Sequence, residues 1–152
     1  MTVTQAPLFG LEQAERTSDD VYTPPWVFER LGLRFDLDVA SPPGGVPWIP
    51  AKRYFTKADD ALSQPWHGQV WMNPPYSNCT PWAQRFLDHG NGVALMCVSK
   101  ANWTAEVFER ADAVHMPRPF KFANDHSIFM PVFFAAMGHE CVEALRRLGR
   151  VR

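Results

Sequence analysis

Asn73-Pro74-Pro75-Tyr76 is the tetrapeptide of this chain whose residue types could do chemistry together. It directly follows Gln69-Val70-Trp71-Met72, an apolar stretch that reads as a strand. Two consecutive prolines fix φ and remove two backbone donors, so the chain leaves the strand stiff, with carbonyls that no helix ladder absorbs. The Asn73 side-chain oxygen and the Pro74 carbonyl can then both accept from one exocyclic amino group, while Tyr76 stacks on the ring that bears it. An amino nitrogen on an aromatic ring, as in adenine, is a poor nucleophile because its lone pair is delocalised. Two acceptors that draw its hydrogens out of plane favour a more tetrahedral nitrogen, whose lone pair can attack an electrophilic methyl group in line. No strong general base is needed. The sequence shows no Ser/His/Asp or Cys/His arrangement, and His67, His89, His115, His126 and His139 lack metal-ligand spacing, so they read as surface or packing residues and no metal is expected.

The elements that must position this motif follow an α/β rhythm. Thr23-Pro24-Pro25 reads as a helix start with Thr23 as N-cap, followed by Trp26, Val27, Phe28 and Leu31 and stopped at Gly32. Phe35 to Ala40 alternates apolar and polar residues like a strand, and Ser41-Pro42-Pro43-Gly44-Gly45 through Pro50 is a breaker-rich loop. Arg53 to Thr56 reads as a short strand and Lys57 to Gln64 as a helical turn or two. After the tetrapeptide, Thr80-Pro81 opens an amphipathic helix through Leu87. Val93 to Ser99 suits a central strand buried on both faces, and Ala105 to Ala111 a crossover helix. Val114 to Met116 and Met130 to Met137 read as a terminal strand pair joined by a polar loop, with a last helix over Cys141 to Leu148. The first twenty residues are unpatterned and read as a mobile arm, residues 1–20, ahead of one domain over residues 21–152.

Composition narrows the class further. With 152 residues, 46% of them hydrophobic and 20% charged, the chain is a globular domain rather than a disordered or coiled-coil one. The longest apolar run, Ile128 to Met137, is broken by Pro131 and is about half the roughly 20 residues of a membrane span, so no membrane association is expected. Cys79, Cys97 and Cys141 are odd in number and widely spaced, which fits reduced thiols of a cytoplasmic protein. The net charge of −1 gives no sign of a nucleic-acid binder, although acids crowd the segment through Asp38 and bases the segment from Arg118 onward.

The ordered set of motifs resembles the small phage-type DNA adenine-N6 methyltransferases, S-adenosylmethionine-dependent relatives of the Dam enzymes. Beyond the tetrapeptide, the resemblance runs through Thr23-Pro24-Pro25 with Phe28, Phe35 to Ser41, Tyr54-Phe55-Thr56, Asp60-Ala61-Leu62 with Trp66, and Phe120-Lys121-Phe122. It covers residues from about 20 to 137. It implies a single-domain, Rossmann-like class I methyltransferase with a mostly parallel sheet and a C-terminal antiparallel strand pair. It also implies that Thr23 and Pro24 lie against the methionine part of the cofactor, and that Asp38 and Ala40 end the first strand beside the cofactor pocket. Asp60 falls where the family has an acid near the cofactor's adenine, with Asp59 as an equally available carboxylate. Phe122, or Phe120, matches an aromatic that stacks on the target base opposite Tyr76. The sequence departs from the usual glycine-rich cofactor loop, since Pro42 and Pro43 stand where close backbone approach is expected. No acid is apparent at the end of a second strand to hold the ribose.

The implied activity is methyl transfer to adenine N6 in DNA, with the base flipped into a pocket floored by Asn73 to Tyr76. Lys52, Arg53 and Lys57 before the site, and Lys100, Arg118 and Lys121 after it, are the candidate phosphate anchors. No separate target-recognition domain is expected at this length, so short or relaxed specificity is expected too, and a homodimer would help the protein hold both strands. A phage- or prophage-encoded enzyme of the bacterial cytoplasm fits this reading. Two rivals stand beside it. The same geometry suits cytosine N4, RNA adenine or a protein glutamine, and a degenerate fold could bind DNA without turnover.

Overall fold

The structure, a computed structural model, describes residue 19, residues 21–123 and residues 131–152. Apart from Asp19, the arm expected over residues 1–20 lies outside the described residues, as do Met130 and the second part of the polar loop expected before the last strand, residues 124–129.

Helix α1, Pro25–Leu31, starts with Pro25 in its first turn and ends at Gly32, whose φ of 63° lets its amide cap the Phe28 carbonyl at 3.0 Å. Its N-cap is Pro24, with no side-chain cap. Thr23 therefore does not cap the helix as its sequence position suggests, because its hydroxyl is engaged elsewhere.

Six strands follow: β1 Phe35–Asp38, β2 Ala51–Tyr54, β3 Val70–Met72, β4 Gly92–Cys97, β5 Ala113–His115 and β6 Val132–Met137. They form one sheet in the order β2-β1-β3-β4-β6-β5. The pairs β1·β2, β1·β3 and β3·β4 are parallel, and β6 is antiparallel to both β4 and β5. The terminal antiparallel pair is present, but its last strand is inserted beside β4, so β5 forms the sheet edge and points the same way as β4.

Helices α2 Thr80–His89, α3 Asn102–Arg110 and α4 His139–Arg146 complete the α/β arrangement. The segment expected as a helical turn or two is a pair of 3₁₀ turns, Lys57–Asp59 and Ala61–Ser63. Period-2 alternation sorts the strand residues between two cores. Phe35, Trp71, Val93, Leu95, Phe134 and Ala136 pack with α1 and α4, while Leu37, Val70, Met72, Ala94, Met96 and Phe133 pack with α2 and α3. Both faces of the sheet are thereby covered, which explains the nearly continuous apolar runs of β4 and β6.

Candidate active site

The chain leaves β1 for β2 on one side and comes back to β3 on the other, so β1 and β3 flank the point where the winding reverses. Crevices outside the carboxyl ends of parallel strands at such a point are where α/β sheets take ligands. Asp38 closes β1 and Asn73 immediately follows β3, with Asp38 in register with Trp71.

The Asn73 amide is held by its nitrogen: Nδ2 donates to the Val21 carbonyl at 2.9 Å and to the Thr23 hydroxyl at 3.3 Å. Its Oδ1 is buried and has no hydrogen-bond partner among the described residues. Among the described residues no donor reaches the Pro74 carbonyl either. The Pro75 carbonyl is occupied, accepting from the Asn78 amide at 3.2 Å and the Cys79 thiol at 3.5 Å. The tetrapeptide thus leaves open the two acceptors that an amino group needs. An unsatisfied buried acceptor costs about 1–3 kcal/mol, which a bound donor recovers.

Tyr76 begins a 3₁₀ turn, Tyr76–Asn78, and its hydroxyl donates a long bond to the Leu95 carbonyl at 3.5 Å. Burial holds its phenol well above the ordinary tyrosine range, and the neighbouring Cys97 and Cys79 thiols push the same way. Tyr76 is a neutral aromatic surface, not a base.

Asp38 is 3% exposed, and burial lifts its carboxyl to about 7 against the weak opposing pull of the Ala40 amide, which donates to Oδ1 at 3.2 Å. It stands in a cleft of about 220 Å³ that Ser41, Gly44, Gly45, Ile49 and Tyr54 also line. Gly45, with φ of 76°, lets the Tyr54 ring lie where a Cβ would come within 3.0 Å of it. Pro42 and Pro43 are not among the residues that line this cleft, whereas Gly44 and Gly45, both with positive φ, are. Thr23 and Pro24 are buried between this loop and Asn73, where the Trp48 indole donates to the Thr23 carbonyl at 2.8 Å.

Asp59 and Asp60, equivalent in sequence, differ in structure. Asp59 closes a capping box on Thr56, while Asp60 is exposed in the left-handed conformation after β2. Phe122 is 3% exposed, with its ring 5.4 Å from that of Phe120, which is only partly covered and stands edge-on to Trp26. Lys57, Lys100, Arg118 and Lys121 are exposed in segments that follow the carboxyl ends of β2, β4 and β5, so they share the end of the sheet that carries Asn73. Arg53 is exposed on the edge strand β2. Lys52 is not brought to that end, because its amino group pairs with Asp36 at 3.4 Å. Among the described histidines, His89 bonds the Gly68 carbonyl and His115 the Arg150 carbonyl.

Residues 12–116 match the family described as DNA N-6-adenine-methyltransferase (Dam), a match over well more than half of the chain. The chain belongs to the Dam family. A stretch of 83 residues is also 35% identical to the DNA N-6-adenine-methyltransferase of Haemophilus phage HP1 (strain HP1c1), covering 49% of this chain and 46% of the relative. The chain thus spans about half the length of the curated relative that it matches. Among the described residues of this Dam-family chain, no helix is long and apolar enough to cross a membrane.

Sequence reasoning missed several residues that the Dam-family fold brings to the site. Val21 acts through its backbone carbonyl, which no side-chain pattern reveals. Asp19 accepts from the Ser77 amide at 2.9 Å and its hydroxyl at 2.6 Å, tying the segment before α1 to the tetrapeptide loop. Tyr54 and Trp48 carried a usable signal, since large aromatics exposed in or beside a breaker-rich loop are candidates for ligand contact.

Proposed function

We propose that this chain is a Rossmann-like class I methyltransferase that transfers a methyl group from S-adenosylmethionine to the N6 amino group of adenine in DNA. The observation that carries the reading is the buried Asn73 Oδ1, without a partner among the described residues and beside the open Pro74 carbonyl. Family membership and the phage relative support adenine N6 as the acceptor, and a phage or prophage origin acting on bacterial DNA.

The residues present fit the cofactor. Asp38 is a buried carboxylate with one amide donor, and a cofactor bearing an ammonium and ribose hydroxyls supplies the donors that it lacks. Asp38, Ala40, Pro24 and Asp60 would hold it, with Tyr54 at the mouth of the cleft, while the Thr23 hydroxyl is turned to Asn73. When bound, S-adenosylmethionine supplies an electrophilic methyl group.

The chain's own residues do the rest. Asn73 Oδ1 and the Pro74 carbonyl accept the two amino hydrogens and turn the N6 lone pair out of conjugation. Pro75 keeps the loop rigid, and the surplus proton leaves to water. Tyr76 stacks on the flipped base, with Phe120 or Phe122 as its partner, at about 1–3 kcal/mol per contact, against an unstacking cost of a few kcal/mol. Arg53, Lys57, Lys100, Arg118 and Lys121 anchor phosphates.

The test is transfer of a labelled methyl group to duplex DNA, followed by nucleoside analysis, with Asn73→Ala alongside. The expected result is N6-methyladenine from wild type and a loss of roughly 100-fold or more in the variant. Cofactor binding without any methylated base on varied DNA sinks the DNA reading, and label on cytosine, RNA or glutamine redirects it.

A further inference from the structure

An asparagine amide is nearly symmetric in shape, and either end can point at a substrate. Only one end is useful here. Were the Asn73 nitrogen turned inward, it would present two donors to an amino group that needs acceptors. Something in the fold must choose.

Resting on the reading just given, we infer that Thr23, together with the Val21 carbonyl, is the positioning device that fixes which atom of Asn73 meets the amino group. The Val21 carbonyl can only accept, so the amide end 2.9 Å from it must be the nitrogen. The Thr23 hydroxyl, 3.3 Å away, takes the second amide hydrogen. Both hydrogens are then engaged and Oδ1 is left bare and buried.

Three further observations single out Thr23. It precedes Pro24-Pro25 at a helix start, where a threonine ordinarily caps, yet no side chain caps α1. It is fully buried, so water does not claim its hydroxyl. Its carbonyl is pinned by the Trp48 indole at 2.8 Å, which keeps the side chain aimed at Asn73. Asp19 fastens the other end of the same segment to Ser77, so the strap before α1 grips the tetrapeptide loop at both ends.

This role differs from a cofactor contact in what a substitution moves. Thr23→Val is close to isosteric and removes the hydroxyl, and Thr23→Ser keeps it. Loss of one hydrogen bond to Asn73 lowers kcat about three- to tenfold while KM for S-adenosylmethionine stays within about twofold, and Thr23→Ser restores kcat. Without cofactor or DNA, NMR of the Asn73 side-chain amide shows faster hydrogen exchange in Thr23→Val and wild-type exchange in Thr23→Ser. Trp48→Phe, which frees the Thr23 carbonyl, moves both readouts in the same direction and serves if Thr23→Val does not fold. Wild-type kcat and exchange in Thr23→Val, or a raised cofactor KM with unchanged kcat, overturn the inference. If wild type itself transfers no methyl group, the functional reading fails, and the exchange measurement still decides the role of Thr23.

Discussion

Asp59 turns its carboxylate back onto Thr56, accepting from the amide at 2.8 Å and the hydroxyl at 3.1 Å, while the adjacent Asp60 holds φ 53° and ψ 68° with an exposed carboxylate. Asp60 is the one non-glycine with positive φ among the described residues. Two neighbouring acids are thus separated by backbone geometry into one that stabilises the turn and one that is free to meet a ligand, and strain at such positions collects at functional sites.

Substitutions should separate the two. Asp59→Ala removes the capping box and lowers stability by about 1 kcal/mol, with cofactor affinity retained. Asp60→Gly relieves the left-handed backbone and leaves stability equal or higher by up to about 1 kcal/mol, but weakens S-adenosylmethionine binding. Urea unfolding and titration calorimetry on both variants check this, and equal effects of the two on cofactor binding refute it.

Asp38 gives the unliganded protein a pH dependence. Its carboxyl sits at about 7 when folded and near 3.8 otherwise, so between those values the folded state binds more protons than the unfolded one. Its contribution is complete below about pH 4 and declines as pH rises through 7, by up to about 4 kcal/mol on the 1.36 kcal/mol per unit relation. Asp38→Asn removes that decline, so the variant's stability from pH 5 to pH 8 is flatter than that of wild type. Denaturant midpoints across this range provide the measurement, and parallel curves contradict the assignment.

The features legible in the sequence are those with local causes. Pro25 and Gly32 bracket α1, Thr80-Pro81 opens α2, and the alternation of Phe35 to Asp38 marks β1, each because the signal and the structure lie in the same few residues. The tetrapeptide was legible for the same reason. What depends on distant partners was not. Thr23 serves Asn73 from fifty positions away, and local rules therefore assigned it to a cap that it does not form. Lys52 looked like its neighbour Arg53 until β1·β2 pairing set it beside Asp36. The placement of β6 between β4 and β5 follows from which faces meet, and alternation along one strand carries no record of its neighbours.

Tyr76 separates shape from chemistry. Its phenol is kept neutral by burial and makes only a 3.5 Å bond to Leu95, so the ring matters more than the hydroxyl. Tyr76→Phe keeps methyl transfer within about threefold of wild type, since a bond of that length contributes little. Tyr76→Ala loses base stacking, a weakening of roughly 5- to 150-fold in KM for DNA at about 1–3 kcal/mol. Steady-state kinetics on both variants decide it, and a Tyr76→Phe enzyme as impaired as Tyr76→Ala assigns the hydroxyl a direct role instead.

Salt dependence tests the cationic face by residue. Lys57, Lys100, Arg118 and Lys121 stand at the carboxyl end of the sheet with Asn73, whereas the Lys52 ammonium is drawn to Asp36. Each phosphate contact contributes about 0.9 to the slope of log affinity against log salt. With at most a handful of such cations, the wild-type slope is shallow, and Lys100→Ala reduces it by about one contact while weakening binding to all sequences alike. Lys52→Ala leaves the slope unchanged, because an exposed pair on the flank of the sheet offers nothing to DNA at the crevice. Fluorescence anisotropy at several salt concentrations reads both, and a Lys52→Ala slope lowered as much as that of Lys100→Ala would place the duplex across the β2 edge rather than over the strand ends.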